Sequence, residues 1–68
     1  MNNTLSAHFI NAEDDNIIMK RNISVVPRVD DEMRFGGRGN EKYYRVSKVV
    51  FVYDEPVDRV NIGCELIT

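Results

Sequence analysis

The chain has 68 residues, which is enough for one small domain but too few for the separate domains of most multi-part enzymes. Its 9 Lys or Arg residues and 11 Asp or Glu residues give a formal net charge of -2, which argues against a general nucleic-acid binder. The single cysteine, Cys64, excludes an internal disulfide and a cysteine-based zinc site.

The first half of the chain predicts two strands and a hairpin. Apolar and polar residues alternate from Thr4 to Ile10, a period of two that is typical of a strand with one buried face. The polar run of residues 11–16 contains the Asn and Asp residues that favour tight turns. A second strand is predicted from Ile17 to Val25. Arg21 interrupts its apolar face, so we expect this side chain either to reach solvent near an end of the barrel or to meet a carboxylate.

Proline and glycine divide the middle of the chain. Pro27 cannot donate a hydrogen bond to a central strand, so it marks a bend before a short third strand from Glu32 to Phe35. Residues 36–40 have the sequence Gly-Gly-Arg-Gly-Asn, which is typical of a loop that needs positive backbone dihedrals.

The longest β-prone run extends from Tyr43 to Tyr53. Its apolar alternation changes phase after Val46, so we predict a bulge near Ser47 and Lys48 that turns both halves of the strand inward. A turn containing proline follows at residues 54–58.

The last strand is predicted from Arg59 to Ile67, where Cys64 alternates in phase with the apolar residues and should pack as a small core side chain. No helical period is present in the sequence. The fold class is therefore predicted as all-β, with five antiparallel strands that form one small barrel domain over residues 1–68.

The charge is not evenly distributed along the chain. Residues 16–48 contain eight cationic and four acidic side chains, a net charge of +4, whereas residues 1–15 and 49–68 each carry -3. This pattern is typical of a solvated surface with internal charge pairs, but it also fits a local anion-binding surface on an acidic protein.

The segment from Val26 to Arg34, the glycine loop, and the runs 44–46 and 49–51 resemble small SH3-like β-barrel proteins encoded by phages and mobile elements. The resemblance covers roughly residues 25–67. In such barrels a Gly-Asp pair often begins the third strand, whereas this chain has Asp30 and Asp31. The resemblance implies a binding protein, and several very small phage proteins act by blocking or sequestering host components.

The candidate ligand-binding residues cluster around the glycine loop. Glycines allow backbone amides to approach an anion, Arg offers a forked donor, and an outward Tyr43 can stack on a base or pack against a partner. A flexible hairpin with solubilising charges explains the same residues without a ligand. The predicted site comprises Arg34, Gly36, Gly37, Arg38, Lys42, Tyr43 and Arg45.

Exposed apolar side chains predict self-association. The predicted bulge leaves Val50 and Val52 facing outward, and without the bulge Phe51 faces outward instead. Ile10, Ile18 and Ile67 are also assigned to outer faces. Burying this surface between copies of the chain would supplement a small core.

Other chemistry has little support in the sequence. His8 is the only histidine and no metal-ligand spacing accompanies it, so we predict no metal site, no cofactor and no enzymatic activity. No apolar run is long enough for a membrane span and the N-terminus lacks the features of a signal peptide, so we expect a cytoplasmic protein, in the host cytoplasm if a phage encodes it.

We therefore expect a non-catalytic homo-oligomeric binding protein that blocks a host protein, such as an immune protein, or sequesters an anionic, nucleotide-like ligand. The alternative is a small barrel that binds nucleic acid through the basic middle segment and Tyr43. A structural role, for example in a phage particle, is a third interpretation.

Overall fold

The computed structural model describes residues 4–53 and 58–67. These residues form one five-stranded mixed sheet that curls into a half-barrel. The strand order across the sheet is β2-β1-β5-β4-β3. The strands are β1 (Leu5–Asn11), β2 (Ile17–Ile23), β3 (Glu32–Phe35), β4 (Lys42–Tyr53) and β5 (Asp58–Leu66).

All five predicted strands are present, and β3 has the predicted bounds. The strand β2 ends at Ile23, two residues before the predicted end, and every other strand end matches the prediction or differs from it by one residue. Residues 11–16 form the predicted hairpin turn, in which the Asn11 amide donates to the Asn16 carbonyl at 2.8 Å. The predicted turn at residues 54–58 falls mostly on 54–57, which lie outside the described residues.

The prediction of a wholly antiparallel sheet is wrong for one strand pair. The strand β1 runs parallel to β5, with Ala7 opposite Val60, whereas the other three strand pairs are antiparallel. The alternation of apolar residues is the same for either direction of pairing, so the sequence pattern could not distinguish them. The connection from β2 to β3 joins opposite edges of the sheet.

The core lies on the concave face of the half-barrel and draws on three central strands. Its buried residues are Ala7, Phe9, Tyr44, Val46, Val60, Ile62 and Cys64. Val26, in the connection between β2 and β3, packs against this cluster. Ile18 does so too, so its predicted place on the outer face is wrong. Burial confirms the predicted core role of Cys64 and raises the pKa of its thiol, which donates to the Ile62 carbonyl at 3.3 Å.

The predicted bulge is confirmed. The register between β4 and β5 shifts between Val46 and Lys48, so that Val46 opposes Cys64 and Val49 opposes Ile62 on the concave face. Val49 packs against the core, but Phe51 and Tyr53, which continue this side of the strand, stay 49% and 79% exposed. The bulge thus reorients the end of β4 without burying it.

Candidate interaction surfaces

The β3–β4 hairpin carries the predicted glycine loop. Gly36 and Gly39 have φ angles of 98° and 86°, which glycine adopts with little cost. A Cβ atom on Gly36 would lie against the Asn40 carbonyl oxygen. The Asn40 amide donates to the Gly37 carbonyl at 3.0 Å, which closes the turn. The positive dihedrals therefore serve the geometry of the hairpin.

A carboxylate of the chain itself, that of Glu41, binds a backbone amide of the glycine loop. The Gly39 amide donates to a carboxylate oxygen of Glu41 at 3.2 Å. An amide that a phosphate or carboxylate ligand would need is therefore already engaged by a carboxylate of the chain. This contact weakens the interpretation of the loop as an anion-binding nest.

The predicted site residues lie on two faces of the sheet. Arg34 is directly opposite Tyr43, and the next outward residue, Arg45, opposes Glu32. We call this side the outer face, because Phe35 and Tyr44 point to the other side, where they pack in the core. Lys42 is opposite Phe35 and therefore lies on the concave side of the hairpin, while Gly36, Gly37 and Arg38 lie in the exposed turn.

Acidic neighbours offset the charge of Arg45. Its guanidinium lies 3.8 Å from the Glu32 carboxylate, and Glu65 is its partner on β5. Both side chains of the ion pair are exposed, so the pair contributes little to stability. Its effect is to surround Arg45 with negative charge, which disfavours a phosphate at this position.

Arg34, Tyr43 and Ile67 form a mixed surface, which we call the Arg34–Tyr43 patch. Tyr43 is 40% exposed whereas its neighbour Tyr44 is 5% exposed, which confirms the predicted orientations of the two tyrosines. The Ile67 amide donates to the Tyr43 carbonyl at 2.7 Å, so Ile67, itself 41% exposed, lies beside the tyrosine. An arginine, an aromatic ring and an aliphatic side chain thus adjoin on one exposed surface.

A second surface is an apolar cleft of about 330 Å³ on the concave side. It forms where the β2–β3 connection meets the second half of β4. Val29 and Phe51 both border this cleft and are each about half exposed. The cleft is lined by Val26, Pro27, Arg28, Val29, Val49 and Phe51.

Sequence reasoning missed a third surface, on the outer face of β1 and β2. His8 is opposite Lys20 on β2 and opposite Asn61 on β5. Partial burial and the nearby charges of Lys20 and Arg59 lower the pKa of His8 below its ordinary value. The period-two pattern placed His8 outward, but only the hairpin register brings it next to Lys20.

A shallow outer-face cleft of about 310 Å³ lies near this third surface, beside the β4 bulge. Asp15 and Lys48 both line it, so its walls carry charges of both signs. Among residues 4–53 and 58–67, no three His, Cys, Asp or Glu side chains converge as a metal site would require.

No protein-family model matches the chain, and no curated protein or solved structure gives a match either. Within the part of the chain that the structure describes, no helix is long and apolar enough to cross a membrane.

Proposed function

We propose that this chain is a non-catalytic binding protein that recognises a protein partner through the Arg34–Tyr43 patch and associates with itself through exposed apolar surface. The observation that carries the proposal is the adjacency of Arg34, Tyr43 and Ile67 on one exposed face. Tyrosine and arginine are enriched at the centres of protein interfaces, where they supply large contact area and directed hydrogen bonds.

The surroundings of the patch favour a protein over a polyanion. The Glu32 and Glu65 carboxylates adjoin Arg45, and Glu41 occupies the Gly39 amide. Nucleic-acid binding depends on uncompensated cations that release counterions from phosphates. A protein surface with its own mixture of charged and apolar groups complements this arrangement better.

The resemblance to small phage-encoded barrels makes a host protein the expected partner, and an SH3-like identity for the half-barrel belongs to the same proposal. Sequestration of an anionic, nucleotide-like ligand is the second candidate. The observation that favours it is the exposed position of Arg38 in the hairpin turn, which leaves its guanidinium accessible to a small anion.

The test compares partner capture by two matched double variants. Arg34→Ala with Tyr43→Ala removes the two directly opposed side chains of the patch. Lys20→Ala with Asn22→Ala removes one cation and one polar side chain from the outer face of β2. All four residues are exposed, so both variants should fold.

We expect mass spectrometry to identify a specific protein that cross-links to the wild type and to the Lys20→Ala/Asn22→Ala variant. The same protein should not cross-link to the Arg34→Ala/Tyr43→Ala variant. Equal capture by both variants would contradict the proposal. Thermal stabilisation by a panel of nucleotides that is lost in Arg38→Ala would replace the protein partner with the anionic ligand.

A further inference from the structure

The second half of β4 has an open backbone edge. On one side, residues 48–53 pair with β5 from Gly63 to Asp58. On the other side, β3 pairs with residues 42–45, and Asp30 and Asp31 extend the backbone contacts only to Val46. Among residues 4–53 and 58–67, no strand pairs with this side of residues 47–53, which we call the β4 edge segment.

The β4 edge segment has the bulge at its start but lacks the proline and the clustered charges that protect many natural sheet edges. It has the sequence Ser-Lys-Val-Val-Phe-Val-Tyr, with no proline and one charged residue, Lys48. The opposite edge strand, β2, has adjacent cations at Lys20 and Arg21, and β3 is only four residues long. Long apolar edges are templates for pairing with another chain, whereas charges and short strands discourage it.

Both faces of the β4 edge segment carry exposed apolar side chains. Phe51 and Tyr53 lie on the concave side, and Val50, which opposes Asn61, lies on the outer face with 38% of its surface exposed. A ligand in the apolar cleft would cover only the concave side. An added strand would cover both sides and satisfy the open backbone groups at the same time.

We infer that the β4 edge segment pairs antiparallel with the same segment of a second copy, in a two-fold dimer. This inference deepens the self-association in the proposed function and rests on it. It joins two half-barrels into one continuous sheet and places the exposed Val29 of each copy near the new interface. A two-fold interface needs a surface that complements itself, and a short apolar strand meets that requirement.

The single charged residue of the segment, Lys48, does not oppose the two-fold dimer, because its two copies lie far apart. With the two-fold axis at Val50, Lys48 lies opposite Val52 of the second copy, and Val49 lies opposite Phe51. The two Lys48 residues are then four positions apart, about 14 Å along the strand. This separation exceeds the screening length of about 8 Å at physiological ionic strength. A shift of the axis to Phe51 separates the two lysines further.

Lysine substitutions at Val50 and at Ile17 provide a matched test of the proposed dimer. In Val50→Lys, the new cations of the two copies lie close to each other at either axis position. Ile17→Lys places the same charge on the other sheet edge, at a residue that is 49% exposed. Each protein is examined alone, by sedimentation and native mass spectrometry across micromolar concentrations, with circular dichroism to confirm folding. Because no partner is present, these masses report self-association independently of the Arg34–Tyr43 patch.

We expect dimers for the wild type and Ile17→Lys. For Val50→Lys, we expect a dissociation constant raised on the order of tenfold or more, because like charges face each other across the strands. Backbone amides of residues 48–52 should exchange more slowly in the wild-type dimer than in folded Val50→Lys. A monomeric wild type, a Val50→Lys protein that dimerises as well as the wild type, or an open-ended assembly would overturn the inference.

Discussion

The rings of Phe9 and Phe35 lie with centroids 5.2 Å apart and planes at 68°, although two strands separate β1 from β3 in the sheet. Phe35 also meets Tyr44 edge to face at 5.5 Å. A flat sheet could not bring these rings together, because neighbouring strands are about 4.8 Å apart and β1 and β3 are three spacings apart. The contact between the two phenylalanines is therefore a direct measure of the curl that makes the half-barrel.

A double-mutant cycle on Phe9→Leu and Phe35→Leu tests this contact. Leucine keeps most of the apolar volume but removes the edge-to-face geometry, so we expect a coupling energy of about 1 kcal/mol in the free energy of unfolding. Urea denaturation of the wild type, both single variants and the double variant provides the measurement. Additive effects of the two substitutions would show that the rings do not interact.

The hairpin glycines should differ in their tolerance of alanine. Gly36→Ala combines a positive φ with a clash against the Asn40 carbonyl, so we expect a loss of about 1–3 kcal/mol of stability. Gly39→Ala meets no neighbour but has a positive φ, and should lose less, about 1 kcal/mol. Gly37→Ala meets neither obstacle and is the control. Thermal unfolding that ranks the three variants in another order would contradict the described turn.

Asp30 and Asp31 should respond in opposite directions to glycine. Asp30 has a φ of 79°, which is strained for a residue with a side chain, so Asp30→Gly should raise the free energy of unfolding by up to about 1 kcal/mol. The Asp31 carboxylate accepts the Arg28 amide at 2.8 Å, so Asp31→Gly should lower it by about 1 kcal/mol. Chemical denaturation measures both. Destabilisation by Asp30→Gly would show that its side chain has a role that outweighs the strain.

The pKa of His8 should lie below its ordinary value and rise in Lys20→Gln, because that substitution removes one of the like charges that disfavour the imidazolium. Lys42→Gln, on the distant hairpin, should leave the pKa unchanged. The imidazole resonances in an NMR pH titration provide the measurement. A pKa that moves equally in both variants would point to an effect of net charge alone.

The free energy of unfolding should depend on pH because of the lowered pKa of His8. Since the folded state binds this proton less readily than the unfolded chain, stability should fall as the pH drops from the ordinary histidine pKa through the lower folded value. His8→Gln should reduce that decline. Urea denaturation at several pH values measures this decline, and an unaltered pH profile in His8→Gln would contradict a lowered pKa of His8 in the folded state.

The turn before β3 places Asp30 in a conformation that the sequence left uncertain. The chain has Asp30 and Asp31 at this turn, and Asp30 adopts a positive φ, a conformation that favours glycine. The second residue of the pair, Asp31, accepts the Arg28 amide within the turn. The sequence identified the unusual position, but its backbone conformation required the structure.

The candidate site shows where sequence reasoning reaches its limit. Alternation within one strand correctly assigned Tyr43 outward and Tyr44 inward. The predicted strand began at Tyr43 and omitted Lys42, which lies on the side of Tyr44 because it is two residues away on β4. Alternation could not pair Arg45 with Glu32, because that contact depends on the register between β3 and β4. The Glu41 contact with the Gly39 amide likewise depends on the conformation of the turn.

The amino-acid sequence by itself determined the five strands, the β4 bulge, the first hairpin and the buried Cys64, because each follows from contacts between residues close in the chain or from a period of two along one strand. Only the tertiary structure decided that β1 runs parallel to β5, that the sheet curls until Phe9 meets Phe35, and that the β4 edge segment stays open. These features arise from pairing between distant segments, and one strand's alternating pattern is the same whichever neighbour it meets.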